Sequence, residues 1–137
     1  MPAYCRVYTE PGLLVTRLQG RVTIAEFREV YVELRSSPGF SPEFPEIVDF
    51  RSALSFEFDH TELARLAQRV TGQHADMSFK TAILTTPGLS HGMARVYQSY
   101  AQLGDVESVQ IFDSPAAAFS WVGLPDYQVA ALEICPQ

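Results

Sequence analysis

The first forty residues change from a strand-like to a helix-like spacing of apolar side chains. Residues 3–9 and 13–19 are rich in β-branched and aromatic residues, and Glu10-Pro11-Gly12 between them is a turn sequence. Apolar residues then recur at helical spacing, at Ile24, Phe27, Tyr31 and Leu34. The pattern therefore predicts a β-hairpin followed by a helix with one buried face.

Two helix starts carry the same capping signal. Thr23 is followed at the third position by Glu26, and Asp59 is followed in the same way by Glu62. In such a capping box each side chain accepts a hydrogen bond from a backbone N–H group of the first turn, so both sites predict a helix N-terminus.

Three further apolar segments, residues 47–50, 79–85 and 106–112, predict strands, each followed by a helical pattern. The element order is then β-β-α-β-α-β-α-β-α. Strands that alternate with helices predict an α/β fold, with a mostly parallel five-stranded sheet and helices packed on it. We expect a single domain over residues 1–137, with its core at about 4–123 and a C-terminal tail at 124–137.

Composition and charge exclude several classes of partner. The chain has 47% apolar and 19% charged residues, as globular proteins do, and a formal charge of −6 with no basic run. Nucleic acids and anionic membrane surfaces need clustered Lys and Arg, so neither is an expected partner. No apolar run approaches the roughly 20 residues that span a bilayer.

The expected location is the cytoplasm, because the N-terminal residues resemble neither a signal peptide nor a membrane anchor. The chain has two cysteines, Cys5 and Cys135. In a reducing compartment we expect two thiols rather than a disulfide between them.

The run Gly88–Gly92, GLSHG, matches the Gly-x-Ser-x-Gly motif of serine hydrolases. That motif needs a histidine farther along the chain to accept the serine proton, but His60 and His74 precede it and none follows His91. We interpret Ser90 as a helix cap and predict no enzymatic activity. The three histidines also lack the spacing of a metal site, and there is no glycine-rich phosphate loop, so no cofactor is predicted.

A polar rim is predicted where the strands end. It combines residues at the end of the third strand, at the end of the fourth strand and at two helix starts: Asp49, Arg51, Ser52, Thr85, Thr86, His60 and Ser90. Helix N-termini direct N–H groups toward such an edge, so the rim could bind a small anion or an acidic segment of a partner. Alternatively, Asp49 and Arg51 pair with each other and leave a satisfied strand end.

The order of elements and the residues at their junctions resemble the STAS domain, also called the SpoIIAA-like or anti-sigma-factor-antagonist fold. The resemblance covers about residues 4–123. It rests on the hairpin, the helix that begins near Thr23, and the aspartate that closes the third strand in Ile47-Val48-Asp49-Phe50. Residues 92–98 and 116–123 resemble an uncharacterised bacterial subgroup.

In regulatory STAS domains the next helix opens Asp-Ser-Ser-Gly-Leu, and its second serine accepts phosphate. The matching residues here are DHTEL at 59–63, which place Thr61 at the phosphoacceptor position. Glu62 replaces the glycine beside it and would repel a phosphate dianion on Thr61. The resemblance implies a non-enzymatic regulatory or interaction module without the usual serine phosphoswitch, with a protein partner and with homodimerisation left open. The alternative is a small-ligand or lipid carrier related to Sec14-type folds.

Overall fold

The computed structural model describes residues 3–10, 12–41, 43–59, 61–66, 79–86, 88, 92–95, 98 and 107–124. The strands are β1 (Ala3–Tyr8), β2 (Leu13–Thr23), β3 (Glu46–Glu57), β4 (Phe79–Leu84) and β5 (Glu107–Phe112). The helices are α1 (Ile24–Ser36) and α4 (Pro115–Trp121), and between them lie two helices of which only some residues are described: 61–66 of α2, and 92–95 and 98 of α3. Most of the predicted C-terminal tail lies outside the described residues.

The five strands form one sheet in the order β1-β2-β3-β4-β5. β1 and β2 are antiparallel, with Ala3 opposite Leu18, and the remaining neighbours are parallel. The hairpin turns at Gly12, which has a φ of 98° and donates its N–H to the carbonyl oxygen of Tyr8 at 3.1 Å. The predicted mostly parallel five-stranded α/β sheet is confirmed.

Helix α1 begins with the predicted capping box. The Thr23 hydroxyl accepts from the backbone N–H of Glu26 at 3.1 Å, and the Glu26 carboxylate accepts from the backbone N–H of Thr23 at 3.1 Å. Its inner face buries Phe27, Val30, Tyr31 and Leu34. Local sequence therefore determines where this helix begins and which face it packs on the sheet.

Apolar side chains cover both faces of the sheet. The larger core is made by one sheet face with residues of α1, α2 and α3, and includes Leu18, Phe27, Val48, Phe50, Leu63, Ile83 and Ala94. The smaller core lies on the opposite face under α4, and includes Leu13, Val15, Ile47, Leu84 and Phe119. No helix of the described part is long and apolar enough to cross a membrane.

Strand β3 is much longer than the sequence pattern predicts. The predicted strand ended at Phe50, whereas β3 continues to Glu57 because β2 also continues past its predicted end and supplies a partner. Two register shifts interrupt the pairing. At the first shift, Phe50 and Arg51 together oppose one residue of β2. At the second shift, Leu54 has no opposite residue on β2. Each bulge breaks the period-two alternation, so the sequence there does not have the pattern of a strand.

Candidate functional site

The structure places the described rim residues at one end of the sheet. Asp49 lies opposite Leu84 in the register of β3 and β4, so Thr85 and Thr86 follow immediately beyond it. Thr85 is buried and donates its N–H to the carbonyl oxygen of Phe112 at 2.9 Å, while Thr86 is exposed. His60 and Ser90 lie outside the described residues, so their part of the predicted rim stays a prediction.

Asp49 and Arg51 bind each other at the bulge of β3. The Nε and Nη2 atoms of Arg51 donate to the two carboxylate oxygens of Asp49, each at 2.9 Å, and the backbone N–H of Arg51 adds a bond of 3.0 Å. Asp49 is fully buried and Arg51 is half-buried. The hydrogen bond to Asp49 is the main cause that raises the pKa of the guanidinium. This arrangement corresponds to the alternative in which Asp49 and Arg51 pair with each other at the strand end.

A second guanidinium lies in the same region and was missed by the sequence analysis. Arg17 is opposite Asp49 in the register of β2 and β3, is 8% exposed, and donates from Nη2 to the Ser52 hydroxyl at 3.4 Å. The signal was present in the alternation of β2, which places Arg17 on the same face as buried Leu13 and Val15. Among the described residues, this strand end therefore holds two guanidinium groups and one carboxylate.

Helix α2 begins with the second predicted capping box. The backbone N–H of Glu62 donates to Asp59 at 2.9 Å, and the backbone N–H of Asp59 donates to the Glu62 carboxylate at 3.1 Å. Thr61 lies between them and is exposed. Both acids thus have a structural role at the helix start, and phosphorylation of Thr61 stays a prediction.

A buried polar cluster lies between α1 and the sheet, and no sequence signal indicated it. The Thr16 hydroxyl donates to Glu46 at 2.9 Å, and the Arg35 guanidinium is 3.9 Å from the same carboxylate. Burial is the main cause that raises the pKa of Glu46, and it outweighs the opposing effects of Arg35 and Thr16. Beside the cluster is a cavity of about 20 Å³, lined mostly by apolar side chains of α1, β3 and β4. It has room for about one water molecule.

Beyond Asp49, strands β2 and β3 continue to pair with each other over residues 19–23 and 52–57, and this segment is here called the β2–β3 ribbon. Its inner side packs on the larger core through Phe56, whose ring centroid is 5.5 Å from that of Phe50. On the ribbon, Arg21 and Glu57 form an exposed ion pair. Leu54 is 77% exposed, so this ribbon presents a large apolar side chain to solvent.

Metal and nucleophile chemistry receive no support from the described residues. Among them, no group of three or more His, Cys, Asp or Glu side chains could hold a metal ion. Ser90 and His91 of the hydrolase-like motif are outside those residues, as is Cys135. The prediction of a chain without catalytic activity is therefore untested.

Comparison with known proteins identifies the fold. No protein-family model matches the chain, and no curated protein matches it either. A solved structure with a SpoIIAA-like fold does match, from an uncharacterised protein of the DUF3478 family of Shewanella loihica PV-4. The two share 14% sequence identity and a TM-score of 0.61, over 88% of this chain and 93% of the other. The fold that the sequence resemblance implied is confirmed: the chain has a SpoIIAA-like fold.

Proposed function

We propose that this chain is a non-enzymatic regulatory or protein-interaction module that docks a protein partner on the β2–β3 ribbon. The single observation that carries the proposal is the exposure of Leu54 at the second bulge of β3. Burying a leucine side chain is worth about 1.5–3 kcal/mol, so a partner that covers Leu54 would gain affinity.

The backbone of the ribbon supports the same surface. The pairing of β3 with β4 ends at Asp49 and Leu84, so residues 52–57 pair with no described strand on that side. An open strand edge offers N–H and C=O groups to an incoming segment, and bulges are frequent where such edges occur. A partner segment could therefore satisfy backbone groups and cover Leu54 together.

The charged groups near the ribbon support a binding role rather than a catalytic one. Asp49 is held by Arg51, and Asp59 and Glu62 cap helix α2. Acids that fix local structure are poorly placed to transfer protons to a substrate. Because Glu62 is held at the helix start directly after Thr61, its carboxylate would repel a phosphate on Thr61, which supports a module without the usual serine phosphoswitch.

Affinity capture from the native cell extract tests the proposal with two matched variants. Leu54→Ser removes the apolar side chain from the ribbon, and Val32→Ser removes a second large apolar side chain that the described part of the chain exposes, 53% exposed on α1. We expect a protein captured by the wild type and by Val32→Ser to be lost or strongly depleted with Leu54→Ser. A second copy of the chain counts as the partner if light scattering shows a dimer with the same dependence on Leu54. Capture that does not depend on Leu54, or no capture and no dimer, would contradict the proposal.

The alternative function, a small-ligand or lipid carrier, would need an apolar cavity between helices and sheet. Between α1 and the sheet, the described residues enclose a cavity of about 20 Å³, far below the roughly 300–1,000 Å³ of ordinary ligand pockets, and Glu46 lines it. We therefore favour the interaction module. A lipid or nucleotide retained by gently denatured protein in mass spectrometry would favour the carrier instead.

A further inference from the structure

A groove of about 380 Å³ separates helices α1 and α2 on the surface. Its lining combines Arg28 of α1 with Glu62, Arg65 and Leu66 of α2. Both arginines are exposed, whereas Leu66 is buried and connects the groove to the larger core. The groove therefore presents two guanidinium groups from two different helices.

These two guanidinium groups differ from most other arginines of the chain. Arg17, Arg21, Arg35 and Arg51 each bind a side chain on a neighbouring element or strand position. In the described part of the chain, the side chains of Arg28 and Arg65 form neither a hydrogen bond nor an ion pair. Their donors remain available to a ligand.

The acid in the groove does not neutralise them. One oxygen of Glu62 accepts the backbone N–H of Asp59 at 3.1 Å, so this carboxylate is held at the start of α2. Among the described lining residues, two positive groups thus face one negative group, on a chain whose formal charge is −6. At physiological salt, charges more than about 8 Å away are largely screened, so the local excess of positive charge decides which ligands bind in the groove.

We propose that the groove between α1 and α2 binds an acidic segment of a protein partner, through Arg28 and Arg65. Guanidinium groups bind carboxylates with paired hydrogen bonds, and a peptide with several acidic residues can reach both at once. A groove of this volume is large for a single inorganic anion, and the two arginines lie on separate helices. The inference rests on the proposed function because it assumes a protein partner, and it adds the chemistry of that partner at a second surface.

Fluorescence anisotropy with a defined probe tests the groove directly. The probe is a fluorescein-labelled peptide of repeated Glu-Glu-Leu, and the reference peptide replaces each Glu with Gln. The double variant Arg28→Glu/Arg65→Glu removes two ion pairs with the probe and introduces two like-charge contacts, so it should weaken binding about tenfold or more. The matched control is Arg95→Glu, because Arg95 is also exposed but lies on α3, outside the groove lining. It should change the affinity by no more than about twofold.

Several results would overturn the inference: no saturable binding of the acidic probe, equal binding of the Gln peptide, or an equal loss with Arg95→Glu. Inorganic phosphate that displaces the probe at low concentration would assign the groove to a free anion instead. The milder Arg28→Gln/Arg65→Gln variant, checked for folding by circular dichroism, replaces the double glutamate variant if that one unfolds. Leu54→Ser should leave probe binding unchanged, so failure at the groove and failure at the β2–β3 ribbon are distinguishable.

Discussion

Arg51 holds both carboxylate oxygens of Asp49, with Nε and Nη2 each at 2.9 Å, although only one residue separates the two in the chain. Side chains at positions i and i+2 of a regular strand lie on the same face, but here Arg51 belongs to the bulge of β3. The backbone N–H of Arg51 also donates to Asp49. A fully buried carboxylate is thus compensated within its own strand.

Removing Arg51 should destabilise the protein more than removing an exposed ion pair. Arg51→Ala leaves the buried Asp49 carboxylate without its guanidinium, and breaking a buried pair in this way costs about 3 kcal/mol. The exposed pair of Arg21 and Glu57 is the control, and Arg21→Ala should cost less than about 1 kcal/mol because the Arg21 side chain is 79% exposed. Urea unfolding followed by circular dichroism measures both, and equal costs would contradict the assigned role of the pair.

Glu46 should make stability depend on pH. The pKa of Glu46 in the folded state is raised above the ordinary value of a glutamate, mainly by burial, so the folded protein binds this proton more tightly than the unfolded chain does. The stability from Glu46 is complete below the unfolded pKa and is lost as pH rises through the folded pKa. Glu46→Gln keeps an acceptor for Thr16 and removes the titration. In urea unfolding from pH 4 to pH 8, the stability of the variant minus that of the wild type should increase and then level off. A difference that is constant or decreases with pH would rule out this role.

The capping box of α1 should be a measurable part of stability. Thr23→Ala removes the hydroxyl that accepts the backbone N–H of Glu26, and such a loss costs about 1 kcal/mol. Thr23→Ser keeps that oxygen and serves as the matched control. In chemical unfolding the alanine variant should be clearly less stable than the serine variant. Similar stabilities for the two would show that the hydroxyl is unimportant.

Thr61 should not accept phosphate under conditions in which a STAS phosphoswitch would. The side chain is exposed, but it lies between Asp59 and Glu62 of the capping box, and both acids would repel a phosphate dianion. We expect intact-mass spectrometry to show no added phosphate after incubation with ATP and native cell extract. Phosphate that is present on the wild type and absent from Thr61→Ala would show that Thr61 accepts phosphate and would contradict this prediction.

Features that depend on neighbouring residues were predictable from the sequence. Both capping boxes join a residue to the third one after it, and the Gly12 turn joins two adjacent strands. The alternation of strands and helices predicted the parallel sheet, and the resemblance to the STAS domain implied the SpoIIAA-like fold. The candidate pair of Asp49 and Arg51 was also within reach, because only one residue separates its members.

Features that join distant residues needed the tertiary structure. Thr16 and Glu46 are 30 positions apart, and Arg17 and Ser52 are 35 positions apart, so no local pattern links them. The bulges that extend β3 and expose Leu54 exist only because the strand is aligned with β2. The sequence by itself determined the helix starts, the hairpin and the order of elements, because the hydrogen bonds and apolar spacing that define them are local. Strand register, buried pairs and the groove between α1 and α2 were decided by packing, which brings together side chains that the sequence separates.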